Sequence, residues 1–160
     1  MQVSASVCLR AQRAPGADAA CVLPPGDTDL IDRVPAELWQ ARLGLSLLRQ
    51  RGKGAHSAFA PYIELLPSVH HGVPMFFDGD TLGLLQYPPL VEQVKKRCRF
   101  LIEFSKHIDP AAAQAVFSNH TIDANALGWA LVSVSSRAFR VGGGEDRRAL
   151  LPLIDMANHR

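Results

Sequence analysis

A mainly helical α+β chain is what the sequence predicts, and three observations carry that expectation. Apolar residues recur at helical spacing in three separate segments, the pattern turns to short extended pieces after Ser136, and Gly142, Gly143 and Gly144 separate those pieces. With 48% hydrophobic and 20% charged residues over 160 positions, the composition is that of an ordinary globular domain able to bury a core.

The first thirteen residues carry Ser4, Ser6, Arg10 and Arg13 and no acid, the composition of an organelle transit peptide; an arbitrary start left by truncation explains them equally well. Gly, Pro, Asp and Ala dominate residues 14–35, with Pro24, Pro25 and Gly26 in a row, so 1–35 reads as a disordered lead-in. A helix is predicted over 37–51, between Pro35 and Gly52, with Leu38, Leu45 and Leu48 on its inner side. A short helix over 58–65 ends before Pro67, and 68–77 reads as a loop holding His70, His71 and Pro74. Over 89–107, Leu90, Val91, Val94, Cys98, Leu101 and Ile102 form one helical stripe, and Lys95, Lys96, Arg97 and Glu103 fall largely outside it. Thr121 is placed to cap another helix, with Asp123 adding charge at its positive end, and Ile122, Ala126, Leu127, Ala130, Leu131 and Val134 continue the apolar face. Residues 138–141 and 149–151 then predict a small β-hairpin around a loose loop. The end on an apolar strand and an unfinished polar turn reads as a cut through a larger fold, which is expected to leave strand edges open and the product prone to aggregate.

A formal net charge of +2, evenly spread, argues against nucleic acid as a partner. Cys8, Cys21 and Cys98 are odd in number and widely spaced, which predicts reduced thiols in an intracellular protein and no metal site. No apolar run approaches the roughly 20 residues of a membrane span, so no membrane partner is expected. His70 and His71 diverge as neighbours and read as a solvated loop, His107 and His120 as helix-end residues, and Trp129 and Phe139 as core. Gly142 to Gly144 lack the following Lys and Ser or Thr of a phosphate loop. Arg137 and Asp155, taken alone, read equally well as a structural ion pair.

Two pieces of the closing stretch, SRAF at 136–139 and the segment 151–159 holding Pro152, Asp155, Asn158 and His159, resemble the SET domains of the Rubisco large-subunit methyltransferase-like family. Upstream, Tyr62, Leu66 and Pro67 are similar to that family's Tyr-x-x-x-Leu-Pro turn, and FFDGDTLGLLQ resembles its next short helix, so the likeness runs nearly collinearly over 36–160. The resemblance implies a helical SET insert at 36–135 followed by a partial SET core, the β part of an incomplete β-clip, at 136–160. It implies an S-adenosylmethionine-dependent protein-lysine N-methyltransferase, acting on a protein substrate that presents a lysine, in chloroplast, cytoplasm or nucleus. Arg137, Asn158 and His159 would bind the cofactor, and Asp155 would stand beside the substrate lysine channel.

Such chemistry depends on holding a neutral amine in line with the methyl carbon in a water-poor channel. A lysine, with its ordinary pKa near roughly 10.4, must also shed a proton, which burial favours. The sequence departs from the family at Val141, where plant members carry a second Arg, and Arg140 points to the opposite strand face. Residues 1–35 show no Gly-rich cofactor loop, and the family's catalytic tyrosine is not among the matched residues, so a truncated chain without activity of its own is expected. Two rival readings follow: a non-catalytic remnant whose helical module binds a protein, and a protein-histidine methyltransferase.

Overall fold

The computed structural model describes residues 9–10, 29–32, 34–108, 110–117, 121–141, 148–152 and 154–157. These residues form a mainly helical α+β fold, as predicted. Helices α1 (Asp29–Asp32), α2 (Trp39–Gly52), α3 (Ala60–Leu65), α4 (Gly79–Gly83), α5 (Pro88–Lys106), α6 (Pro110–Phe117) and α7 (Ala124–Arg137) accompany strands β1 (Leu9–Arg10), β2 (Ala138–Arg140) and β3 (Arg148–Leu150).

Helix α2 is the centre of the core. Sequence periodicity predicts a one-sided helix, but every residue from Ala41 to Gln50 is buried, while Leu38, expected inside, caps the helix at the surface. Leu43, Leu45 and Leu47 point around the helix and are all fully enclosed, because α7, α6, α1, α3 and β3 pack on different sides of it. Each such leucine contributes about 2 kcal/mol by leaving water. Gly52 closes the helix where a Cβ would collide with the carbonyl oxygen of Phe117, so no side chain fits there.

At its upstream edge α2 meets α1, an element inside the segment expected to be a lead-in. Ile31 and Val34 are buried, and Asp32 accepts a 2.9 Å hydrogen bond from Arg42 Nη2. Four residues, Asp29–Asp32, are too few to show periodicity, which hides this helix in the sequence. Helix α6, an alanine run opened by Pro110, is likewise absent from the predicted elements because it lacks a stripe of large apolar residues.

Helix α5 buries Val94 and Leu101 of the predicted stripe but exposes Ile102, which lies about 100° round the helix from Leu101, at the edge of the contact. Helix α7 is capped by Asp123 rather than Thr121: Asp123 Oδ1 accepts from the Ala126 amide at 2.7 Å, the third residue of the first turn, and Thr121 stands too early to reach it. Trp129, Leu127, Ala130 and Val134 are buried, and Phe139 is half-buried.

The hairpin forms with register Ala138↔Leu150, Phe139↔Ala149 and Arg140↔Arg148. The loop glycines expected to be loose lie outside the described residues. On its other side β3 pairs with β1, antiparallel, Leu9↔Leu150 and Arg10↔Ala149. Of the two strands expected to leave edges open, β3 is therefore the middle one in the order β1-β3-β2, while β2 stands at an edge. Among the described residues no helix is long and apolar enough to cross a membrane.

Candidate functional site

Helix α7 ends in Arg137 and passes directly into β2, so the guanidinium leaves the helix at its junction with the sheet. After β3 the chain turns tightly: the amides of Ile154 and Asp155 both donate to Leu151 O at 3.2 Å, and that of Ala157 donates to Ile154 O at 3.1 Å. This turn drives the Asp155 side chain fully inward. There Arg137 Nη1 approaches Asp155 Oδ2 at 3.4 Å and Met156 Sδ at 3.8 Å. Two of the four sequence-predicted site residues are thus brought together, in the ion-pair arrangement that spacing alone allowed. Asn158 and His159 lie outside the described residues.

The third member is Tyr62, whose hydroxyl donates to the same Asp155 Oδ2 at 2.7 Å. Its helix is seated from below: Ser57 donates to Gln50 Oε1 of α2 at 2.8 Å and accepts from the Phe59 amide at 3.1 Å, which turns the chain into α3. Pro61 then stands in the first turn of that helix, where its missing amide hydrogen is not needed. Sequence reasoning gave Tyr62 no role, because its partner is 93 residues away. The Tyr-x-x-x-Leu-Pro pattern was the one signal that marked it.

Burial pushes the Tyr62 phenol far above its ordinary pKa, and the hydrogen bond to Asp155 adds to that shift, so the group stays a neutral donor. One carboxylate oxygen consequently serves two donors. Among the described residues Asp155 Oδ1 and Arg137 Nε, both buried, have no hydrogen-bond partner. Buried polar atoms are nearly always satisfied; Arg42 Nε is left in the same state, so the two atoms are a spare acceptor and a spare donor of this pair and not a mark unique to it. Tyr62 also lines an apolar cleft of about 220 Å³, with Phe59 and Leu65 on one side and Pro152 and Met156 on the other; Arg137 and Asp155 are not among its walls.

His70 departs from its expected solvated state. It is half-buried, with Nε2 3.0 Å from Ser133 Oγ and its ring stacked near Phe76, centroids 6.3 Å apart. Trp129, whose indole N–H donates to Pro67 O at 2.7 Å, flanks the same ring. Burial, and then the positive charge of Arg137, hold His70 below its ordinary pKa. His71 is exposed, as expected, and His107 sits at the end of α5, 2.7 Å from Glu103 O. Cys98 is a free thiol; Cys8 and Cys21 lie outside the described residues.

No protein-family model and no curated protein sequence matches this chain.

Proposed function

We propose that the chain is part of a SET-class, S-adenosylmethionine-dependent protein-lysine N-methyltransferase, with Arg137 on the cofactor side and Asp155 on the substrate side of the site. The observation that carries this reading is the buried contact between Arg137 and Asp155, which joins the Ser-Arg-Ala-Phe and Pro-x-x-Asp pieces that the resemblance treats as one site. When bound, the cofactor supplies an electrophilic methyl carbon on a sulfonium, carried by an amino-acid tail.

The residues fit that group. Arg137 Nε is an unused donor suited to the tail's carboxylate, and Asp155 Oδ1 an unused acceptor suited to a lysine ammonium. Tyr62, donating its hydroxyl hydrogen, holds the other carboxylate oxygen. The cleft at Tyr62 is walled by apolar side chains, which would disfavour a charged amine placed there and help it lose its proton before attack. The motif assigns Asn158 and His159 to the cofactor as well. Inside the cell, chloroplast, cytoplasm and nucleus all fit the reading.

Isothermal titration of the chain with S-adenosylmethionine tests it. Saturable binding that is lost in Arg137→Ala and in Asn158→Ala is expected; a folded chain that takes up no cofactor ends the proposal. Mass spectrometry of a methylated acceptor separates lysine from histidine as target. A second reading, a non-catalytic helical module that binds a protein, draws support from Leu84 and Tyr87, which are 77% and 59% exposed between α4 and α5.

A further inference from the structure

We infer that Tyr62 is a positioning residue: its hydroxyl pulls the Asp155 carboxylate out of the arginine fork and so keeps one acceptor and one donor open for a ligand. The last clause rests on the proposed function, since it takes Asp155 and Arg137 as ligand-binding residues; the first does not.

An arginine and a carboxylate left to themselves close into a bidentate pair, two parallel N–H···O bonds that use both oxygens and both available nitrogens. Here the two groups are buried together, yet the pairing is single and long. Arg137 reaches only Oδ2, at 3.4 Å, with a nitrogen it also turns toward Met156. Its Nε and the far oxygen Oδ1 face no partner among the described residues. Something holds the carboxylate off the fork.

Tyr62 does so. Its 2.7 Å bond to Oδ2 is the shortest contact of the cluster and lies in the range of charge-assisted O–H···O bonds, whereas 3.4 Å is at the outer limit for N–H···O. The phenol cannot drift toward Arg137 to relieve the strain on the pair, because α3 is anchored to α2 through Ser57 and Gln50. Met156 Sδ, a weak acceptor, takes part of the guanidinium's donor capacity and makes the open arrangement easier to hold. The helical part of the chain thereby sets the state of a site whose other members lie at the sheet.

The test is Tyr62→Phe, which keeps the ring in the cleft wall and removes the oxygen alone. With the hydroxyl gone, Asp155 is expected to swing into the fork of Arg137. The ligand-free readout is the Arg137 Nε–H signal in nitrogen-15 NMR: its exchange with solvent should slow at least tenfold in the variant. In the second readout, the Kd of the variant for S-adenosylmethionine should rise about tenfold, since the closed pair must reopen. Unchanged or faster Arg137 exchange overturns the inference, and so does a variant that fails to fold, which would make the bond a structural tie that Arg137 cannot replace. If the unmutated chain binds no S-adenosylmethionine, the proposed function fails while the exchange measurement still judges Tyr62 by itself.

Discussion

Among the described residues, two arginine–aspartate pairs, Arg42 with Asp32 and Arg137 with Asp155, are built in opposite senses. In the first, Arg42 is enclosed at 1% exposure while its partner Asp32 stands 41% exposed, and the contact is short, 2.9 Å. In the second the acid is enclosed, Asp155 at 0%, while Arg137 keeps 21% of its side chain in solvent, and the contact is 3.4 Å. The first pair ties α1 to α2, and its carboxylate can turn to water for whatever Arg42 does not supply. The second carboxylate has no such outlet and leans on Tyr62 instead. Both pairs leave a buried guanidinium Nε without a partner, but in the second a carboxylate oxygen is sealed in and unpaired as well.

The largest effect should come from removing the exposed partner of the enclosed cation. Asp32→Ala strands the Arg42 guanidinium and is expected to cost about 3 kcal/mol in urea unfolding, whereas Arg42→Met, which leaves an acid free to hydrate, should cost about 1 kcal/mol or less. Equal costs would break the comparison. Next, Arg137→Leu leaves Asp155 buried but still bonded to Tyr62, so its cost should fall between those two, at about 2 kcal/mol.

The smallest effect reaches His70, which feels Arg137 and not Arg42. Its folded pKa lies below the ordinary 6.5, so as pH falls through that value the unfolded chain takes up a proton that the folded chain refuses. Stability is therefore expected to decline as pH falls below about 6.5, the ordinary histidine value. His70→Gln should flatten that decline. In an NMR titration Arg137→Leu should raise the His70 pKa, and Arg42→Met should leave it in place; an identical response to both variants would show that the second pair exerts no local field.

The helices that announce themselves in the sequence are those with long amphipathic faces, α5 and α7, and the hairpin follows from the change of period after Ser136. What periodicity could not show is a helix wrapped on every side. Leu38, Leu45 and Leu48 made α2 look one-sided, yet Arg42 and Arg49 are buried with the leucines, because neighbours arrive from all directions. Short elements escaped for a different reason: α1 is a single four-residue turn, too short to show a period, and the dipeptide strand β1 is held by β3 from the far side of the helical region. At the site, Arg137 and Asp155 were legible from their spacing and from the resemblance, including the alternative that they pair. Tyr62 was not, since a tyrosine on a short helix has the same local signature whether its hydroxyl meets water or a buried acid. The contact of His70 with Ser133 was hidden in the same way.

The pairing of Leu9 with Leu150 spans the whole helical region, so the chain closes on itself like a clasp. Helices can form and dock while the polypeptide is still emerging from the ribosome, but that ladder must wait until residues 148–150 are made. Sheet closure is then expected to come after helix docking, and Asp155, which follows β3 in the chain, is made later than Tyr62 and its helix. The order of synthesis delivers the acid after the helices, onto a helical platform that can already be assembled to receive it.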